Sequence, residues 1–209
     1  MILTPLADDR LPTVLARFVE SLPAGRLRTL FGRLIEGTKA ARATAEIAVK
    51  NHTDTIDFIT NFGIGLKPGA PHLDVSWDGA MLRCETEAYM LLHEVAHFQL
   101  AAPARRTQVD FGLGPGPETG DRTRAAQAQT LFGLAREREE AMASLLGILW
   151  EAEFGHPALA SLLDQNWLEG AGRPGTAAHF ADIVTALEAG GFVDRAGRPQ
   201  TRLRQHADA

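Results

Sequence analysis

The 209-residue chain has a single cysteine, Cys84. A lone thiol excludes an internal disulfide framework and any zinc site built on paired cysteines. Aromatic residues are scarce, at 7%, while alanine and leucine are plentiful, which favours helices. No apolar run approaches the ~20 residues of a membrane-spanning helix. The opening MILTPLADDR lacks the basic and then apolar stretches of a secretory leader. A cytoplasmic protein with no membrane partner is therefore expected. There is no excess of positive charge either. The formal net charge of −5 argues against a general nucleic-acid coat and leaves room only for a local basic patch. A chain of this size buries a sizeable core without covalent staples, and one domain over residues 1–209 is expected.

The hydrophobic pattern predicts an α+β protein, mainly helical, with a small sheet beside a buried central helix. Thr13–Glu20, Leu27–Ile35 and Ala40–Lys50 have helical character. Between Thr53 and Asp78, TIDFITNFGIG and HLDVSWDG alternate apolar and polar residues and read as two strands around the turn material Gly65–Pro71. Residues 1–75 thus form a helical and strand-like lobe before a core over 76–204. Glu85–Leu100 is a helix apolar nearly all round, ended by Pro103. Gly112–Gly120 reads as a loop. Ala125–Glu153 reads as a long helix with a break near Gly133, stopped at Gly155-His156-Pro157. Leu159–Leu163 and Ala177–Ala189 are shorter helices, and the tail from Thr201 is expected to fray.

The chemistry lies in His93-Glu94-Val95-Ala96-His97. On a helix, residues four apart share a face, so both imidazoles can reach one metal ion. Glu94 between them can take a proton from a water activated by that ion, or steady a ligand. A third protein ligand is needed, and carboxylates cluster at Glu137, Glu139 and Glu140. A stripe drawn through Leu134, Ala141, Leu145, Ile148, Leu149 and Ala152 places Glu137 at its edge and the other two further toward solvent. Glu137 is the expected third ligand and Glu140 the runner-up. Two histidines and a carboxylate suit zinc in hydrolysis or Fe(II) in oxygen chemistry.

The stretch HEVAHFQLAAPARRTQVDFG, residues 93–112, resembles the elongation factor P hydroxylase family of bacteria. The likeness is carried by His93, Glu94, His97, Ala104, Arg105, Arg106, Val109, Asp110, Phe111 and Gly112, and continues more loosely over residues 88–204. It implies an iron-dependent, oxygen-using hydroxylase whose protein substrate is a modified lysine of elongation factor P, with His93 and His97 as iron ligands. Physical readings of the neighbouring residues stand beside it. Arg105 and Arg106 could anchor a carboxylate, a phosphate-bearing partner or Asp110, or form an internal ion pair that fixes the loop. Asp110 could receive the free N–H of a ligating imidazole, or shape the turn before Phe111-Gly112. The Gly112–Gly120 loop could close over substrate or simply connect. The alternative enzyme is a zinc metallopeptidase with Glu94 as base, and the non-enzymatic reading is a scaffold that uses metal structurally or not at all.

Overall fold

A computed structural model describes residues 9–36 and 44–204. The architecture is mainly helical with one small sheet. Helix α1 (Leu11–Ser21) starts with Pro12 in its first turn and buries Phe18, and α2 (Arg26–Ile35) buries Leu30, Phe31 and Leu34. Phe18 and Phe31 meet at 4.7 Å between ring centroids. Both also meet Phe180 of α9 (Pro174–Ala189) edge-on, at 5.6 and 5.8 Å. These aromatic contacts join the first helices to the last, and one hydrophobic cluster runs from Phe18 to Val193.

The largest departure from expectation is α3, which spans Ala45–Asn61 and takes in most of the first expected strand. The residues it buries, Asn51, Thr55, Phe58 and Ile59, follow helical spacing. The alternation of TIDFIT coincides with that spacing at Thr55, Phe58 and Ile59, so helical burial prevails over β propensity. The expected helix start at residues 40–43 lies outside the described residues. The sheet has two strands, β1 (Gly65–Lys67) and β2 (Met81–Arg83), paired in parallel with Gly65 opposite Met81. HLDVSWDG makes no regular strand. A 3₁₀ turn at Pro71–Leu73 is followed by irregular, bent chain with a single bridge from Trp77 to Leu82. Ion pairs flank the sheet, from Lys67 to Asp78 at 2.5 Å and from Arg83 to Asp74 at 2.6 Å.

Helix α4 (Ala88–Leu100) is buried along most of its length and packs most extensively on α7 (Gly133–Phe154). Gly147 permits this approach. A Cβ there would lie 3.3 Å from the His93 backbone nitrogen, tighter than ordinary van der Waals contact. The break expected near Gly133 is present. Short α6 (Arg122–Gln127) is separated from α7 by irregular chain, and Gly155, at φ 72°, caps α7 in the left-handed conformation. After α4, the short α5 (Pro103–Arg106) leads into a turn at Val109–Gly112. Helix α8 (Ala158–Asp164) precedes α9. The tail is tethered as far as Arg204. The buried Gln99 amide donates to the Arg202 carbonyl at 3.0 Å and accepts from the Arg204 N–H at 2.9 Å.

Candidate metal centre

The two imidazoles of α4 point the same way. Their Nε2 atoms are 3.0 Å apart. One Glu140 oxygen, Oε2, lies 3.5 Å from Nε2 of His93 and 3.3 Å from Nε2 of His97. Nitrogen and oxygen ligands about 2.0–2.2 Å from a common ion are separated by about 3.0–3.5 Å. The three donor atoms therefore already have the spacing of a metal's ligand set, and His93, His97 and Glu140 are residues that can hold one ion. Of the two expected third ligands, the structure brings Glu140, the runner-up, to this group. Glu137 is exposed and lies outside the group. The stripe that favoured it included Leu134, which is 83% exposed in the first turn of α7. At 100° per residue, Gly147, against α4, stands about 200° round from Leu145. The large apolar residues thus mark faces turned elsewhere, while small Ala143 and Gly147 mark the face shared with Glu140.

The electrostatics call for a cation. Burial raises the Glu140 carboxyl pKa, but the two imidazoles outweigh it and hold the group well below its usual range. Burial alone would lower the His97 pKa. Glu139 and Glu140 reverse that and lift it to about 10. His93 is lowered, chiefly by burial, with Glu140 opposing. Without an ion, a proton on His97 neutralises the carboxylates, and a bound metal would take its place.

The second layer differs from expectation. Nδ1 of His97 and Oε1 of Glu139 are both buried, neither has a hydrogen-bond partner, and they face each other at 3.8 Å. Oε2 of Glu139 accepts from Arg105 Nη2 at 2.5 Å, and Arg105 Nη1 donates to the Phe111 carbonyl at 3.0 Å. Arg105, Glu139 and His97 form a line behind the centre, with Glu139 placed to orient the ring. Glu139 had read as a solvated charge. The one local clue is that it adjoins Glu140 in a dense run of charges. Arg105 is in the internal ion pair weighed for this segment. Arg106 instead donates from Nε to the Phe98 carbonyl at 2.9 Å and sits over the Phe98 ring.

Asp110 does not bond either imidazole. Its carboxylate accepts from the Trp77 backbone N–H at 3.1 Å and from the Thr119 hydroxyl at 3.3 Å. Asp110 and Phe111 are left-handed, at φ 42° and 54°, a strain of about 1–3 kcal/mol per residue. Offsetting it are the Asp110 hydrogen bonds and the burial of the Phe111 ring, stacked on Trp77 at 5.5 Å and on His97 at 5.9 Å. This strained turn closes the floor beneath His97. The loop that follows is anchored: Thr119 bonds Asp110, and Arg136 Nη2 donates to the Pro115 carbonyl at 3.1 Å.

Two cavities meet at the centre. One of 230 Å³ is bounded by His93, Glu94, His97, Asp110, Glu140 and the 113–119 loop. A larger one, of 610 Å³, is bounded by His93, Glu140, Gln165, Trp167, Arg173 and His179. His93, Glu140 and Gln165 belong to both walls. Glu94 lies in the smaller cavity. Burial, with the Asp110 and Glu140 charges adding to it and His97 and Ser76 opposing, pushes its pKa up to about 7. A carboxyl so balanced can hold or release a proton near neutrality. Of the tryptophans, Trp77 and Trp150 are core residues, while Trp167 lines the larger cavity, stacked on His179 at 5.5 Å.

No known family, curated protein or solved structure matches the chain. No helix among the described residues is long and apolar enough to cross a membrane.

Proposed function

We propose that the protein is a mononuclear Fe(II)-dependent hydroxylase acting on a protein side chain, with His93, His97 and Glu140 as the metal ligands. The observation that carries the reading is the convergence of three donor atoms within 3.0–3.5 Å of one another at the boundary of two cavities. Three ligands on one side leave coordination positions for oxygen and substrate. The resemblance of residues 93–112 to elongation factor P hydroxylases favours iron over zinc, and a modified lysine of elongation factor P as substrate. Bound Fe(II) supplies the electron transfers that activate dioxygen. The chain supplies the rest. Glu139 orients His97, Glu94 carries a proton in the smaller cavity, and the larger cavity admits the substrate side chain. The balance is R–H, O2, two electrons and two protons to R–OH and water, with the electrons from an external one-electron reductant.

The near-neutral Glu94 also favours a second reading, a zinc peptidase in which Glu94 takes a proton from water. One experiment separates the two. The metal-free protein is reloaded with Fe(II) or with zinc and given elongation factor P and an unrelated peptide library. The hydroxylase adds one oxygen to a lysine only with Fe(II), dioxygen and ascorbate. The peptidase cleaves peptides with zinc under nitrogen. Neither product with either metal leaves the scaffold reading.

A further inference from the structure

A third cavity, of 480 Å³, lies between α3, the start of α4, the end of α7 and α8, and shares Tyr89 with the smaller cavity of the metal centre. Its wall includes Glu151 and His156, which are 2% and 1% exposed. Oε2 of Glu151 has no hydrogen-bond partner, and neither do both ring nitrogens of His156. Buried polar atoms in a folded protein are nearly always satisfied, so three orphans in one wall point to an absent partner. The nearest charge to His156 is Oδ2 of Asp54, 3.9 Å from Nε2. With the ring proton on Nε2, Nδ1 becomes an acceptor, and burial lowers the His156 pKa and so favours this neutral ring. The wall carries three carboxylates, Glu87, Glu151 and Asp164, and no lysine or arginine. Ala48, Val49, Ala88, Pro157 and Ala160 supply an apolar lining.

We propose that this cavity binds a primary ammonium on a short hydrocarbon body, its N–H groups donating to Glu151 Oε2 and His156 Nδ1. An ammonium has three donors and no acceptor, which matches two orphan acceptors in an acidic wall. An anion would face three carboxylates, and an alcohol has one donor for two acceptors. The site is separate from the metal centre. Glu151 lies eleven residues beyond Glu140 on α7, about 16 Å along the helix, and the proposal stands or falls independently of the metal.

The test is calorimetric titration of the full chain, with and without EDTA, using butylamine, hexylamine, hexanol and hexanoate. Saturable binding of the amines is expected, unchanged by EDTA. Affinity should rise about fourfold per added methylene, as buried hydrocarbon contributes, while hexanol and hexanoate bind at least tenfold more weakly. Nα-acetyl-lysine methylamide serves as a further probe. If it binds as tightly as hexylamine, the natural ammonium is protein-borne, and if it does not, the ligand is a free amine. Glu151→Gln should weaken hexylamine at least tenfold. Because that substitution touches a buried group, Ala48→Trp at the exposed rim gives an independent check by filling the mouth, and it too should abolish binding. Equal binding of hexanol or hexanoate, no amine binding up to 10 mM, or hexylamine binding unaffected by both variants would overturn the proposal.

Discussion

Helix α7 carries two inward-facing glutamates three turns apart, and each shares a cavity with histidine. At Glu140, three donor atoms converge to the spacing of one ion's ligands, and Glu139 and Arg105 support them from behind. At Glu151, unpartnered acceptors share a wall with two further carboxylates and an apolar lining, and among the described residues they belong to no three-ligand group. The residue types are alike and the spacing differs. Donor atoms about 3 Å apart select a small dense cation. Unpartnered acceptors beside an apolar lining suit an organic one. The contrast also shows in proton affinity. Two imidazoles outweigh burial and hold Glu140 low. At Glu151 burial dominates, opposed by the Ser161 hydroxyl and aided by Asp164, and the carboxyl rises to about 7.

The contrast breaks most sharply at the histidines. His97→Ala should abolish metal retention through dialysis, with an affinity loss beyond the 10–100-fold typical of a supporting residue, measured by elemental analysis and competitive chelation. An effect next in size separates the two candidate ligands. Glu140→Gln should release metal almost as completely, whereas Glu137→Gln, at an exposed position, should retain it. The same assay decides, and the opposite ranking would reject the ligand assignment.

At the other end of α7, the prediction concerns pH. The Glu151 carboxyl has a folded pKa of about 7 against an ordinary 4.5. Between these values the folded state holds the extra proton, so this residue's contribution to stability falls as pH rises from 4.5 to 7 and then levels off. The loss is about 3 kcal/mol for a shift of that size. Denaturant unfolding at pH 5 and pH 8 should therefore show Glu151→Gln gaining on wild type at the higher pH. A parallel pH dependence in the two proteins would contradict the burial argument.

Smaller effects sharpen the picture around His97. Glu139→Gln should weaken metal binding by about 10–100-fold without removing a ligand, visible as a faster loss to a chelator. Gly147→Ala should lower stability by up to about 2 kcal/mol, because a methyl group would press on the His93 backbone of a packed helix by more than the roughly 1 kcal/mol that alanine gains over glycine inside a helix. Thermal unfolding of the metal-free protein checks it.

The helix bearing His93 and His97 was legible in the sequence, because i and i+4 share a face whatever the rest of the fold does. So were the mainly helical class, the proline that starts α1 and the glycine that ends α7. The approach of Glu140 to both imidazoles was not. Leu134 counted as core although it ends in an exposed first turn, and Gly147, which marks the contact with α4, adds nothing to an apolar stripe. The TIDFIT segment was misread because helical and strand spacing overlap over so few residues. The supporting role of Glu139 and the two left-handed residues at Asp110 and Phe111 arise from contacts distant in sequence, and local pattern holds no trace of them.

The most direct test is X-ray absorption spectroscopy of the protein titrated with Fe(II) under nitrogen, beside its Glu140→Gln variant. One ion per chain is expected, with scattering from two imidazoles in the wild type and a changed, weakly occupied shell in the variant. An ion bound without imidazole scattering, or no stoichiometric binding at all, would contradict the metal centre.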